Sequence, residues 1–155
     1  MPLEQKILSD SEVVTFDFAS QSEERQIQNL LARCGLPSED VHEHLVHFIT
    51  AKRDDVVIGC VGLEVHGNFG LARSLAVAEK YRRHGIAKIL CENILEYARK
   101  LSMTNLYLTT DASIAYFLKL KFEKLNPQQA PEAIRSTKEF TQLNPATAIF
   151  MSRAI

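Results

Sequence analysis

The chain has 155 residues, 46% of them hydrophobic and 24% charged, and 18 basic residues against 19 acidic ones give a net charge of -1. These values are typical of one globular domain, taken here as residues 1–155, and they exclude a disordered or fibrous chain. A near-neutral chain has no overall electrostatic field that would attract nucleic acid or an anionic membrane. Its longest apolar stretch, Val56 to Leu63, is far shorter than the ~20 residues of a membrane span, so we expect a cytoplasmic protein.

The first third of the chain predicts a strand followed by two helices. Residues 15–18 alternate weakly like a strand, and Ser20 with Glu23 has the spacing of a capping box. Apolar residues at helical spacing follow from Ile27, and a second, short amphipathic helix follows from Val41.

The middle of the chain predicts a hairpin and then a strand-helix-strand unit. Residues 56–65 and 71–77 are β-rich runs on either side of a Gly67-Asn68 turn. Residues 84–100 have apolar positions at a period of about 3.6, which indicates a long helix, and residues 105–110 have the composition of a buried strand. Strands joined by a helix in this way are expected to be parallel neighbours in the sheet.

The end of the chain predicts a short helix and two further strands. Asp111 or Ser113 can cap a helix that ends at Leu120, and a new strand starts at Phe122. Residues 147–151 have the composition of a final strand.

Neither a disulfide framework nor a metal site is expected. The three cysteines are odd in number and widely spaced, so they are predicted to be reduced. Cys60, in an apolar run, and Cys91, on an apolar helical stripe, are predicted to pack in the core, with nucleophilic catalysis as the alternative. Three histidines lie close together, but spacings of two and three do not place them all on one helical face. These residues are Cys34, Cys60, Cys91, His42, His44 and His47.

The segment before the long helix carries the strongest functional signal. It comprises Arg82-Arg83-His84-Gly85-Ile86-Ala87 and follows the predicted strand 71–77. Gly85 lets the backbone approach a ligand closely, and Ala87 is small for the same purpose. The first N–H groups of a helix have no acceptor within the helix and, with the helix dipole, suit phosphate groups. The segment therefore predicts a pyrophosphate site, with a solvated basic turn as the alternative.

This segment resembles the coenzyme A loop of the GNAT superfamily of N-acyltransferases, R/Q-x-x-G-x-G/A, including the strand before it and the helix after it. The dinucleotide motif G-x-G-x-x-G and the Walker motif are both absent from the sequence. The resemblance implies an α/β (α+β) three-layer fold whose mixed, mostly antiparallel sheet is splayed at residues 71–77 and 105–110. It implies acetyl-coenzyme A as co-substrate and no metal, with residues 111–116 flanking the thioester. The cofactor residues it implies are Leu75, Ala76, Val77, Arg82, Arg83, His84, Gly85, Ile86, Ala87 and Lys88.

A closer similarity, over residues 27–153, is to the arsenic-resistance-associated N-acetyltransferases. This subgroup is defined by neighbouring genes as much as by chemistry, so the similarity does not make an arsenical the substrate. The segments that carry it are Cys34–Pro37, Gly62–Glu64, Leu71–Val77, Ala130–Phe140 and Pro145–Ala146.

The resemblance implies direct attack of a neutral amine on the thioester, without a covalent enzyme intermediate. Backbone N–H groups at residues 75–77 would hold the developing oxyanion, and a carboxylate would take up the amine proton, directly or through water. Glu64 is the candidate base because it ends an apolar strand that the resemblance places beside the acceptor; a solvated strand end is the alternative. His66 is a second candidate base; the alternative is a solvent-exposed side chain next to a turn with no role in catalysis.

The sequence departs from the family pattern at the general acid. Phe117 stands at the usual tyrosine position, and Tyr116 lies one residue earlier, about 100° round the helix. Protonation of the thiolate by Tyr116, protonation by water and unassisted departure therefore all stay open. Packing is the alternative role for Tyr116 and for Tyr107.

Arg73 is a charged residue inside an apolar strand. A buried guanidinium needs a partner, which is either a carboxylate of the substrate or an internal acid such as Glu64. Arg135 and Thr137 could complete a pocket for an anionic, amino-acid-like acceptor.

Three functional classes compete. The leading one is an N-acetyltransferase acting on a small-molecule amine, with a homodimer as one option the resemblance leaves open. The second is a coenzyme A-binding sensor that does not transfer the acyl group, which the loss of the usual tyrosine favours. The third is a structural partner protein, which would not bind coenzyme A.

Overall fold

The computed structural model describes residues 2–110, 114–142 and 147–155. The strands in these ranges are β1 (Glu4–Ile7), β2 (Val13–Phe18), β3 (Phe48–Arg53), β4 (Val56–His66), β5 (Phe69–Val77), β6 (Asn105–Thr110), β7 (Glu123–Lys124) and β8 (Ile149–Ala154). The α-helices are α1 (Glu24–Arg33), α2 (Val41–His44), α3 (Ile86–Lys100), α4 (Ile114–Lys119), α5 (Glu132–Arg135) and α6 (Lys138–Thr141). Among these helices, none combines the length and apolar character needed to cross a membrane.

Most predicted elements are present with ends shifted by a few residues. The capping box before α1 is confirmed, because the Ser20 N–H donates to Glu23 Oε1 at 2.9 Å. The long helix begins at Ile86 rather than at residue 84. The predicted caps Asp111 and Ser113 and the family-like segment Pro145–Ala146 lie outside the described residues.

Strand β1 has no counterpart among the predicted elements. Its sequence, Glu-Gln-Lys-Ile, lacks the alternation of apolar and polar residues that identifies a half-buried strand. It forms because its backbone pairs with β2, from Glu4 opposite Phe16 to Ile7 opposite Val13.

The strands form one mixed sheet with the order β1-β2-β3-β4-β5-β6-β8-β7. Strands β5 and β6 pair in parallel, as the strand-helix-strand pattern predicts, with Phe69–Leu71 opposite Asn105–Tyr107. The pairs β1-β2, β2-β3, β3-β4, β6-β8 and β7-β8 are antiparallel. The expected mixed, mostly antiparallel sheet with flanking helices is therefore confirmed. The parallel pairs lie at the start of both strands, which continue to Val77 and Thr110.

Backbone contacts divide the chain into two compact units. The first unit comprises Met1–Leu63 and Ser74–Glu96. Its main core packs α1 and the α2 region against β3, β4 and β5, and consists of Ile27, Leu30, Leu31, Val41, Leu45, Phe48, Val57, Cys60 and Ala76. These residues are at most 7% exposed, so the apolar stripe predicted from Ile27 onward is the buried face of α1.

Helix α3 packs on β4 of the same unit where the sheet surface has no side chain. A Cβ added to Gly59 would lie 3.3 Å from the Ala76 carbonyl oxygen, 3.3 Å from Leu90 Cδ1 and 3.4 Å from Ile86 Cγ2. Ile86 is the first residue of α3, so the start of the helix lies directly against β4.

The second unit comprises Glu64–Arg73 and Tyr97–Ile155. Its core consists of Leu71, Tyr107, Ala130, Ile134 and Phe150. The Tyr107 ring stacks on Phe150 with centroids 5.6 Å apart, and Phe150 makes an edge contact with Phe140 of α6 at 5.4 Å. The tail that follows Pro127 is therefore anchored to the sheet by aromatic packing.

Enlarging residue 59 is expected to destabilise the fold in proportion to the added volume. Gly59→Ala forces contacts of about 3.3 Å to relax, whereas Gly59→Val adds a whole isopropyl group to a filled space, which costs about 1–3 kcal/mol for overpacking. Urea unfolding of both variants measures the effect. Equal stability of Gly59→Val and the parent protein would contradict the packing described here.

Candidate active site

Strand β5 changes conformation just before Leu75–Val77, the first of the predicted cofactor residues. Ser74 has a φ of 58°, a left-handed backbone that non-glycine residues rarely adopt within a strand. The Cys60 thiol donates a hydrogen bond to the Ser74 carbonyl oxygen at 3.3 Å. Burial raises the pKa of the Cys60 thiol to about 12, so this thiol stays protonated and is a poor nucleophile. The irregularity at Ser74 separates Leu75–Val77 from the regular strand before it.

The loop between β5 and α3 is tied to its surroundings by side chains. Tyr81, at the end of a 3₁₀ turn, accepts a hydrogen bond from Arg53 of β3 at 3.1 Å. Arg82 Nε donates to the Val77 carbonyl oxygen at 2.9 Å, which closes the loop on the end of β5. His84 Nδ1 lies 2.8 Å from the Arg82 carbonyl oxygen. These contacts hold the loop in place within the first unit.

The start of α3 has the chemistry of an anion site. Gly85 has a φ of 80°, and the Ile89 N–H bonds its carbonyl oxygen at 3.2 Å. The N–H groups of residues 86–88 therefore have no acceptor within the helix, and its first turn contains no acidic residue. A Cβ added to Gly85 would meet only the end of the Lys6 side chain, at 3.7 Å. The open space, free donors and absence of acidic residues in the first turn fit a pyrophosphate group.

A cavity of about 620 Å³ lies beside the loop in the same unit. Three basic residues and a single acidic one line it, so it too has an excess of positive charge. The lining consists of Leu30, Arg33, Cys34, Ala78, Glu79, Lys80 and Arg82. Arg82 links this cavity to the loop, because its second guanidinium nitrogen lies 3.6 Å from the Cys34 sulfur.

A buried charge cluster occupies the second unit. Arg73 donates to Glu64 Oε2 at 2.8 Å, and the two side chains are 2% and 5% exposed. Arg73 Nε also lies 3.6 Å from a carboxylate oxygen of Glu139, in α6. His66 Nε2 contacts the other Glu64 oxygen at 3.1 Å. Of the two partners considered for Arg73, the structure contains the internal one. Glu64 is a buried carboxylate in contact with Arg73 and His66 rather than a solvated strand end.

The two tail residues predicted to bind the acceptor have partners of their own. Arg135 donates to Glu132 at 2.8 Å, and its side chain is 38% exposed. The Thr137 hydroxyl donates to the Ile134 carbonyl oxygen at 2.8 Å and accepts from the Phe140 N–H at 3.2 Å, which caps α6. Thr137 therefore has a structural use that does not require a ligand, and Arg135 is the more accessible of the two.

The aromatic residues considered for the general acid lie in α4. Phe117, at the usual tyrosine position, makes edge contacts with Tyr116 at 5.4 Å and with Phe122 at 6.0 Å. Tyr116 is half-buried next to it. Burial raises the pKa of Tyr107, whose ring is part of the second core, so Tyr107 is a packing residue.

The structure groups the predicted residues in two sets. All predicted cofactor residues, Leu75, Ala76, Val77 and Arg82 to Lys88, belong to the first unit. Glu64, Arg73, Tyr116, Arg135 and Thr137 belong to the second. Sequence reasoning missed Lys6, Arg33 and Glu139, because no local pattern relates them to the residues they approach.

The chain belongs to the acetyltransferase (GNAT) family, whose model matches residues 7–122. A comparison with curated protein sequences gives no significant match.

Solved structures of low sequence identity share the fold. N-acetylglutamate synthase from Neisseria gonorrhoeae, complexed with coenzyme A and N-acetyl-glutamate, is 20% identical with a TM-score of 0.79 over 91% of this chain and 35% of that one. A Mycobacterium tuberculosis protein in complex with coenzyme A is 21% identical, with a TM-score of 0.77 over 90% of this chain and 98% of that one. A GNAT-family acetyltransferase from Staphylococcus aureus Mu50 is 16% identical, with a TM-score of 0.74 over 91% and 98%. This chain thus spans about a third of the length of the gonococcal synthase.

Removing the Glu64 charge is expected to destabilise the protein strongly. Glu64→Gln leaves the buried Arg73 guanidinium with a weaker set of partners, and breaking a buried pair costs about 3 kcal/mol. The free energy of unfolding of the Glu64→Gln/Arg73→Met double variant should fall by less than the sum of the decreases in the two single variants. Denaturant unfolding of all three variants would measure this.

The chain contains a matched control for this experiment. Glu132→Gln breaks an exposed ion pair of the same second unit, which is expected to cost only about 0–1 kcal/mol. If Glu64→Gln were as mild as Glu132→Gln, the buried pair would not stabilise the unit.

Proposed function

We propose that this chain is an N-acetyltransferase that moves acetyl from acetyl-coenzyme A to the amine of a small molecule, acting as one domain over residues 1–155. The observation that carries this proposal is the start of α3, where free N–H groups, an open glycine and basic side chains fit a pyrophosphate. Membership of the acetyltransferase family supports the reaction class. A cytoplasmic location and a homodimer stay predictions.

In this proposal the chain binds the cofactor along a continuous segment of the first unit. Acetyl-coenzyme A would supply the activated acetyl thioester. The N–H groups of Ile86, Ala87 and Lys88 would hold the pyrophosphate, with help from Arg82, Arg83 and His84. The backbone of Leu75–Val77, displaced from regular strand geometry after Ser74, would pair with the pantetheine arm and hold the oxyanion.

Glu64 is the proposed acceptor of the amine proton. Arg73 fixes one carboxylate oxygen at 2.8 Å, and the other contacts His66 Nε2 at 3.1 Å. With its ring proton on Nδ1, His66 could accept at Nε2 the proton received at Glu64 and pass it on to solvent, since its side chain is 27% exposed. This arrangement gives both candidate bases a role, with Glu64 first and His66 as the link to solvent.

The proposed acceptor is an amino-acid-like amine. The gonococcal synthase was solved with N-acetyl-glutamate, which supports an acceptor carrying both an amine and a carboxylate. Arg73 is matched by Glu64 and Glu139, so a carboxylate group is better assigned to Arg135. Arg135 is partly exposed, and its buried Nε makes no hydrogen bond in the described part of the chain. Thr137 keeps only a supporting role, through its cap on α6. The similarity to the arsenic-resistance-associated subgroup is retained as a finer prediction of this proposal.

A second candidate function is a coenzyme A-binding sensor without turnover. Phe117, packed between Tyr116 and Phe122, favours it, because a phenyl ring cannot donate a proton to a thiolate. If the protein is an enzyme, Tyr116 or water protonates the thiolate, or the thiolate leaves unassisted.

Coenzyme A binding is tested by isothermal titration with acetyl-coenzyme A. The parent protein is expected to bind, and Gly85→Glu is expected to bind at least about 10-fold more weakly than Gly85→Gln, because like charges a few Å apart repel. The two variants share the same backbone strain at a φ of 80° and nearly the same volume, so their difference isolates charge. No binding by folded parent protein would remove both the enzyme and the sensor functions.

Acceptor chemistry is tested by turnover of matched pairs of amines, each an amino acid and its decarboxylated counterpart. Arg135→Gln is expected to raise KM about 10-fold for the carboxylated member alone, the size of one charge-assisted hydrogen bond. An equal effect on both members would remove Arg135 from carboxylate recognition. Tight cofactor binding without turnover of any amine would favour the sensor.

A further inference from the structure

Lys6 of β1 reaches the start of α3. Its ammonium nitrogen lies 3.7 Å from the position of a Cβ on Gly85. Two residues earlier, on the same face of the strand, Glu4 accepts a hydrogen bond from Asn93 of α3 at 3.3 Å. Backbone pairing of Lys6 with Val14 of β2 fixes the strand itself. One face of β1 thus runs along α3, with the lysine at the end where the helix begins.

A lysine at this position is electrostatically unfavourable in the free protein. The start of a helix carries a partial positive charge, and the first turn of α3 contains no acidic residue to balance it. Arg82 and Arg83 add two further positive charges in the loop. Lys88, in the first turn, has Glu92 at 3.9 Å, whereas the Lys6 ammonium has no ion pair or hydrogen bond in the described part of the chain. An anion at the start of α3 would remove this imbalance.

We propose that Lys6 is a cofactor-binding residue whose ammonium contacts the pyrophosphate of coenzyme A at the start of α3. The inference rests on the proposed coenzyme A site and adds to it a residue from outside the loop motif. The position of Lys6 beside Gly85, within the predicted pyrophosphate loop, assigns it to the pyrophosphate rather than to the 3′-phosphate. The strand β1 then serves to deliver one positive charge to the cofactor.

Lys6→Met separates a binding role from a structural one, because the two predict opposite results for the free protein. We expect the variant to bind coenzyme A about 10-fold more weakly in titration calorimetry, the size of one charge-assisted contact. Without cofactor, its Tm should equal or exceed that of the parent protein, because a repulsive charge has been removed. Lys6→Arg, which keeps the charge, should retain most of the affinity.

Two controls sharpen the assignment. Lys124→Met removes an exposed strand lysine of the second unit and should leave the affinity for coenzyme A unchanged. Dephospho-coenzyme A keeps the pyrophosphate and lacks the 3′-phosphate, so Lys6→Met should weaken its binding by the same factor.

Three results would overturn the inference. In the first, Lys6→Met binds coenzyme A as tightly as the parent protein. In the second, Lys6→Met has a lower Tm and a weaker affinity that Lys6→Arg does not restore. In the third, Lys6→Met weakens binding of coenzyme A and leaves binding of dephospho-coenzyme A unchanged. Binding by the parent protein in these same titrations would leave the proposed function intact, whereas its failure to bind would remove the site itself.

Discussion

The unsatisfied N–H groups at the start of α3 are the feature on which the proposed chemistry depends. Every helix has such donors at its first residues. To bind an anion there, a protein must hold the start of the helix in place and keep acidic side chains away from it. Gly59 lets Ile86 and Leu90 approach β4 closely, which packs the first two turns of α3 against the sheet. Contacts from Arg53 to Tyr81 and from Arg82 to Val77 hold the loop that leads into the helix. The surrounding charge is positive, which favours a bound anion.

The second unit contains a buried positive charge, the guanidinium of Arg73. A guanidinium that is 2% exposed would be very unfavourable alone, and Glu64 and Glu139 compensate it from a strand and from the tail. This arrangement connects the position of the tail to the orientation of the Glu64 carboxylate, since Arg73 contacts both acids. The same charge that would orient a catalytic base therefore also helps to hold α6 against the sheet. Stability and the proposed base chemistry draw on one set of side chains.

The departure at Phe117 bears on which proton transfer the fold can support. A phenyl ring at that position makes packing contacts and offers no hydroxyl, while Tyr116 points from a different side of a helix of only six residues. The proposed proton path from Glu64 through His66 does not depend on either ring. In the proposed reaction, the lack of the tyrosine hydroxyl would therefore bear on the leaving thiolate and not on uptake of the amine proton at Glu64.

Local sequence determined the loop, the capping box, the long helix and the strand-helix-strand unit, and with them the family resemblance that the family match and the fold confirm. These features are readable because their physics is local: a helix period, a cap and a glycine before free N–H groups all lie within a few residues. Only the tertiary structure determined which residues, distant in the sequence, contact these local features. The sequence left the partner of Arg73 open, and packing of the tail brought Glu139 to it as well as Glu64. Strand β1 has no apolar alternation and forms only because β2 accepts its backbone, and that pairing alone places Lys6 beside Gly85.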